Sequence, residues 1–119
     1  MTRDSTQEVL RRFNDVFLNH DPAPLVELVA EDCVIERANP IRDGARLVGR
    51  TACVALWTGI ATTPDSFFVL EDVVVMGDRG VIQWRFQKGQ DEANAVRGLN
   101  LMRVRDGRIV EALGYVKGN

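Results

Sequence analysis

The sequence is poor in the residues that build metal sites and disulfides. Its 119 residues include one histidine, His20, and two cysteines, Cys33 and Cys53. Zinc sites draw most of their ligands from Cys and His, so we predict that the chain binds no metal. Neither cysteine has a histidine partner in view, which argues against a thiolate nucleophile. The two cysteines fit reduced thiols in a cytoplasmic protein.

Charge and hydropathy exclude further classes of protein. The formal net charge is −2, so no basic surface argues for nucleic acid or an anionic membrane. No apolar run approaches the roughly 20 residues of a membrane span, and the first residues lack the apolar core of a signal peptide. Apolar residues make up 45% and charged residues 27%, which is ordinary for a globular protein. We predict a single domain over residues 1–119.

Three helices and a short strand are predicted in the first half of the chain. Ser5 and Glu8 form a capping box, and apolar residues follow at helical spacing. Pro22 suits the start of a second helix, whose buried side would be Leu25, Leu28 and Val29. The remaining predictions are a strand over Cys33–Arg37, a polar loop over Asn39–Val48 and a third helix over Arg50–Ala61.

The second half of the chain changes from a helical to a strand period. Four long strands are predicted, over Phe67–Met76, Val81–Lys88, Ala95–Val104 and Arg108–Lys117. Helices that are segregated from an antiparallel sheet indicate an α+β fold.

The last two strands form a hairpin that carries a lone amide, Asn100, among small and apolar residues. A two-residue loop, Asp106-Gly107, would pair Asn100 with Leu113. A three-residue loop that also includes Arg105, with Gly107 left-handed in a bulge, would pair Asn100 with Ala112. We favour the second, which places on one face Val96, Gly98, Asn100, Met102, Val110, Ala112, Gly114 and Val116.

Four segments together resemble the nuclear transport factor 2-like superfamily, in its SnoaL-like branch. They are VLRRFNDVFLNHD, PLVELVAEDCVIE, GRTACVALW and RGLNLMRVRDGRIVEALGYVKG. The resemblance covers nearly the whole chain and implies a bent antiparallel sheet wrapped around N-terminal helices into a cone with an apolar pocket. Members of the family include polyketide cyclases, ketosteroid isomerases, epoxide hydrolases, dehydratases and binding domains, so the fold decides no function. The resemblance implies no cofactor.

The family's acid and base groups are missing at the matching positions. Phe13 stands where ketosteroid isomerases have a tyrosine, and Arg37 stands where they have the aspartate base. Gly114 matches the acidic residue on the last strand of SnoaL-type cyclases. Asn100 matches the second hydrogen-bond donor of the isomerases, and its amide can donate without a raised pKa.

The predicted ligand-binding residues follow from these matches. Asn100 is expected at the pocket centre and Arg37 at its mouth. The apolar wall is expected to include Phe13, Phe17, Trp57 and Met102. Two facings of the strand Val81–Lys88 stay open. Either Ile82, Trp84 and Phe86 face inward, or Gln83 and Arg85 do, as an ungapped match to ketosteroid isomerases suggests.

Three functions are compatible with this sequence. The first is a cofactor-free isomerase, cyclase or lyase in which Asn100 polarises a carbonyl. The second is a non-catalytic binder of a small, mostly apolar molecule that carries a carbonyl or carboxylate. The third is a protein-interaction domain. We also predict a homodimer, because the outer face of the final hairpin carries the apolar residues Leu99, Leu101, Leu113 and Tyr115. Trp84 would belong to the same interface if Gln83 and Arg85 face the pocket.

Overall fold

A computed structural model describes residues 5–37 and 45–117. The helices are α1 (Thr6–Leu18), α2 (Leu25–Leu28) and α3 (Arg50–Ala61), with a 3-10 turn at Glu92–Asn94. The strands are β1 (Val29–Arg37), β2 (Ala45–Val48), β3 (Ser66–Met76), β4 (Arg79–Lys88), β5 (Val96–Arg105) and β6 (Arg108–Val116). They form one curved open sheet in the order β2-β1-β6-β5-β4-β3, which confirms the α+β fold. No helix within the described ranges is long and apolar enough to cross a membrane.

Helix α1 covers the concave face of the sheet. The Ser5 hydroxyl oxygen accepts a hydrogen bond from the Glu8 amide at 3.1 Å, which caps the helix as predicted. Leu10 packs onto β4 at Gly80, where an added Cβ would lie 2.3 Å from the Leu10 Cδ1 atom. After the helix, His20 Nδ1 donates to the Ala61 carbonyl oxygen at 2.9 Å. That bond ties the end of α1 to the end of α3.

The first strand is longer than predicted because it has two partners. Ile35 lies opposite Leu47 of β2 in an antiparallel pair and opposite Ala112 of β6 in a parallel pair. The strand begins at Val29, so α2 is a single turn rather than a longer helix. Ala45–Val48 is a strand and not the predicted loop; residues 39–44 of that loop lie outside the described residues. The parallel pair also departs from the purely antiparallel sheet that was predicted.

The final hairpin has a two-residue turn and a bulge farther along β6. Asp106 and Gly107 have φ of 52° and 77°, as a type I′ turn requires. Val110 has no partner opposite it, because Arg103 pairs with Glu111 while Val104 pairs with Ile109. Beyond this bulge, Asn100 pairs with Gly114.

Both predicted partners of Asn100 were therefore wrong, as was the three-residue loop. The predicted face was right for Asn100, Ala112 and Gly114. The predicted longer loop and the observed bulge each move the partner of Asn100 by one residue from Leu113, in opposite directions, and residues two apart on a strand share a face. Val110 does not share that face; the neighbouring Ile109 is the buried residue.

The outer face of the sheet carries a continuous apolar row. Cross-strand pairing aligns Val74, Val81, Leu101 and Leu113. Leu99 and Tyr115 form the next pair beside this row, and the Tyr115 side chain is 54% exposed. Arg97 and Glu71 form an ion pair at 3.1 Å at its edge. An apolar row framed by charges is typical of an interface between proteins.

We propose that two copies of the chain pair through this outer face. Leu101→Glu places a charge at the middle of the row, and we expect it to shift the protein from dimer to monomer because the charge would be desolvated in the contact. Val26→Glu is the matched control, since Val26 is 58% exposed on α2 and is not part of the apolar row. Light scattering at matched concentrations measures the mass. A wild-type mass of one chain at micromolar concentration would contradict the interface.

Candidate functional site

A cavity of about 330 Å³ lies between the helices and the concave face of the sheet. Three ring contacts build its wall: Phe13 with Trp57 at 4.8 Å, Phe13 with Phe17 at 5.0 Å, and Phe17 with Phe68 at 5.4 Å between centroids. These rings come from α1, α3 and β3. The described lining consists of Phe13, Asn14, Phe17, Ile35, Glu36, Arg37, Leu56, Trp57, Ile60, Phe68, Ile82, Trp84, Phe86, Val96, Asn100, Ala112, Gly114 and Val116.

Two glycines make room for the polar part of the cavity. A Cβ at Gly98 would lie 2.7 Å from Cζ2 of Trp84 and 2.5 Å from the Tyr115 carbonyl oxygen. A Cβ at Gly114 would lie 3.4 Å from Oδ1 of Asn100. Because neither glycine has a side chain, the indole packs directly on β5 and the amide packs directly on β6.

Asn100 is held in one orientation by Trp84. The indole Nε1–H donates to Oδ1 of Asn100 at 3.2 Å. An indole N–H can only donate, so the amide oxygen must face the indole and the Nδ2 group must point elsewhere. Nδ2 has no acceptor within residues 5–37 and 45–117. Asn100 lines the cavity, and the arrangement therefore offers amide N–H donors to whatever occupies it.

Asn14 is a second amide in the lining, and the sequence analysis missed it. Its residue is 2% exposed, and neither Oδ1 nor Nδ2 has a hydrogen-bond partner among the described residues. The signal was present in the sequence. Asn14 follows Leu10 by one helical turn and precedes Phe17 by another, so it lies on the apolar stripe of α1.

The structure brings five of the predicted ligand-binding residues to the cavity and leaves three outside it. Phe13, Phe17, Trp57, Asn100 and Arg37 all line it, and that they contact a ligand stays a prediction. The facing of β4 follows from its burial, since Ile82 is 1% exposed and lines the cavity together with Trp84 and Phe86.

Of the two facings that the sequence left open for β4, the one that turns Gln83 and Arg85 inward was wrong, and Met102 does not line the cavity. Gln83 is exposed and Arg85 is half-buried on the outer face, because both alternate with the inward-facing Ile82, Trp84 and Phe86. Trp84 consequently lines the cavity and does not join the outer face. Met102 is 2% exposed and belongs to the apolar core beyond the cavity, between Gly80 of β4 and Ala112 of β6.

The described lining has only two ionisable side chains, Glu36 and Arg37. The Glu36 carboxylate lies 3.8 Å from Arg46, across the sheet edge. The cysteines are free and buried, and burial raises the pKa of both thiols. The Cys53 thiol donates to the Cys33 carbonyl oxygen at 3.5 Å. Within the described ranges, no three His, Cys, Asp or Glu side chains are grouped closely enough to hold a metal ion.

Gly98→Ala tests whether the glycine is needed for the Trp84–Asn100 bond. The added Cβ overlaps a backbone oxygen and the indole, so we expect the free energy of unfolding to fall by about 1–3 kcal/mol. Gly59→Ala is the control. It lies in α3 with nothing within 4 Å of the added Cβ, and alanine should stabilise this helix by about 1 kcal/mol. Denaturant unfolding measures both. Equal stability of wild type and Gly98→Ala would contradict the close packing.

Comparison with known proteins places the chain in a family. The family model described as a SnoaL-like domain matches residues 10–112. An NTF2-like protein of unknown function from Mesorhizobium loti is 61% identical, with a TM-score of 0.90 over 95% of this chain and 91% of that one. A search of curated proteins finds no match.

Two more distant structures share the fold. A proposed polyketide cyclase from Sinorhizobium meliloti is 21% identical, with a TM-score of 0.71 over 90% of this chain and 93% of that one. A proposed ketosteroid isomerase from Kribbella flavida is 17% identical, with a TM-score of 0.80 over 98% of this chain and 82% of that one. The match over residues 10–112 and the 61% identical structure agree with the observed fold, and the chain belongs to the family of SnoaL-like domains.

Proposed function

We propose that the protein binds a small, mostly apolar molecule through an oxygen atom of a carbonyl or carboxylate group. The observation that carries this proposal is the Asn100 amide, whose oxygen accepts from Trp84 at 3.2 Å while its N–H donors remain available in the cavity. A carbonyl oxygen is the simplest partner for the unpaired N–H donors of this side chain. The aromatic wall supplies the apolar contact area that a small ligand needs.

Arg37 suits the same class of ligand. It is exposed at the end of β1 and lines the cavity. In the strand order, β6, β5 and β4 lie between β1 and β3, the strand that carries Phe68 of the aromatic wall. A guanidinium binds carboxylate and carbonyl oxygens through its planar array of donors. In this arrangement the apolar body of the ligand fills the cavity, while an oxygen-bearing end can reach Arg37 at the mouth.

A rigid bicyclic ketone tests the proposal. We expect 1-tetralone to bind more tightly than tetralin, which has the same rings without the carbonyl. Asn100→Leu should abolish that difference, a loss of about three- to tenfold in affinity for 1-tetralone, because one hydrogen bond is removed. Calorimetric titration measures the affinities. Quenching of Trp57 and Trp84 gives a second readout, since both tryptophans of the chain line the cavity.

Trp84→Phe is the matched control, because it removes the anchor of the amide and keeps the amide itself. We expect an affinity for 1-tetralone between those of wild type and Asn100→Leu. Asn100→Leu should stay folded and lose at most about 1–3 kcal/mol, the cost of leaving the indole N–H unpaired. If Asn100→Leu binds 1-tetralone as wild type does, the assignment of Asn100 is wrong.

A cofactor-free isomerase, cyclase or lyase is the second candidate. Amide donors aimed at a carbonyl oxygen also stabilise the negative charge that develops there when a neighbouring C–H bond ionises. Two proteins with the same fold, a proposed polyketide cyclase and a proposed ketosteroid isomerase, have activities that fit that chemistry. A proton acceptor is also required, and the only carboxylate in the described lining, that of Glu36, faces Arg46 at 3.8 Å.

Deuterium exchange separates binding from this chemistry. The hydrogens next to the carbonyl of 1-tetralone exchange with deuterated water only when a base removes them. We expect exchange, followed by proton NMR with saturating protein, to be no faster than in buffer, because the Glu36 carboxylate is paired with Arg46 at 3.8 Å. Exchange that is accelerated by wild type and lost in Asn100→Leu would instead support the enzyme.

A further inference from the structure

Asn14 is the one polar side chain on the buried stripe of α1. It is 2% exposed, lines the cavity, and has both amide heavy atoms unpaired among the described residues. Leaving buried polar atoms without partners costs free energy, and native structures rarely do so without a reason. An apolar residue at this position would continue the stripe formed by Leu10, Phe13 and Phe17 at no such cost.

The two amides of the cavity differ in which of their hydrogen-bonding groups are unpaired. The oxygen of Asn100 accepts from the Trp84 N–H, and the hydrogen-bonding groups of Asn100 that have no partner among the described residues are its Nδ2 donors. In Asn14 the acceptor Oδ1 and the donors of Nδ2 are both buried and have no partner among the described residues. A group that satisfies Asn14 must therefore donate and accept at the same point. A hydroxyl does both, whereas an ether, a ketone or an ionised carboxylate can only accept.

We propose that Asn14 is a specificity-determining residue for a hydroxyl group on the ligand. The proposal rests on the proposed function and narrows its ligand class to compounds that carry a hydroxyl as well as the carbonyl or carboxylate group. In these, the carbonyl oxygen accepts from Asn100 on β5, and the hydroxyl exchanges hydrogen bonds with Asn14 on α1. The selectivity comes from the acceptor of Asn14, because it would stay unpaired against a ligand that cannot donate.

Three ketones with the same ring system measure the contribution of the hydroxyl. They are 1-tetralone, 6-hydroxy-1-tetralone, and 6-methoxy-1-tetralone, in which the oxygen remains but its hydrogen does not. We expect wild type to bind the hydroxy compound about three- to tenfold more tightly than 1-tetralone, and the methoxy compound no more tightly than 1-tetralone. Calorimetric titration gives the affinities.

Asn14→Leu and Asn100→Leu should lose different preferences. Asn14→Leu should lose the preference for 6-hydroxy-1-tetralone over 1-tetralone. Asn100→Leu should lose affinity for all three ketones and keep that preference. The melting temperature of ligand-free Asn14→Leu should rise, because two unpaired buried atoms are replaced by an apolar group of similar size. A purely structural asparagine predicts the opposite shift.

The outcomes separate this inference from the function on which it rests. If 1-tetralone binding depends on Asn100 but the hydroxyl gives no gain, or a gain that survives in Asn14→Leu, the role of Asn14 is overturned and the proposed function stands. A lower melting temperature or failure to fold in Asn14→Leu assigns its hydrogen bonds to the protein and also overturns the inference. If Asn100→Leu leaves 1-tetralone binding unchanged, the proposed function fails.

Discussion

The site depends on a shortage of side-chain volume at one end of the concave face of the sheet. Gly98, Ala112 and Gly114 occupy this part of β5 and β6. The aromatic rings of the helices, such as Phe13 and Trp57, leave the space above these small residues unfilled. The result is a cavity rather than a closed core. The same shortage lets the Trp84 indole lie close enough to the strand to meet Asn100, so the shape of the cavity and its chemistry have one cause.

The two amide side chains of the lining differ in their hydrogen bonding. Asn100 accepts a hydrogen bond from Trp84 and has only its N–H donors unpaired, whereas Asn14 has no hydrogen bond to any described residue. A core selected for stability alone would not keep an amide without hydrogen bonds between Leu10 and Phe17. Its presence is the kind of local inconsistency that natural proteins carry at sites of function. The empty hydrogen bonds of Asn14 are therefore as informative as the filled one of Asn100.

Local patterns in the sequence predicted the elements well, and long-range pairing explains the failures. The capping box and apolar spacing placed α1 and α3, and alternation placed the four long strands. Ala45–Val48 escaped because its strand character comes from pairing with β1. The hairpin register failed because the extra residue sits at Val110, where no turn residue marks it. Asn14 was overlooked because only apolar residues were counted along the stripe.

The parallel pair between β1 and β6 joins the first strand to the last, since Ile35 lies beside Ala112. Contacts between such distant parts of a chain form late, because the long loop between them must first be closed. During synthesis, β1 and β2 have no sheet to join until β6 has emerged and paired with β5. The cavity takes residues from both β1 and β6, so its lining is complete only when these two strands have paired. A ligand that fills the cavity therefore stabilises the contact between two segments that lie far apart in the sequence.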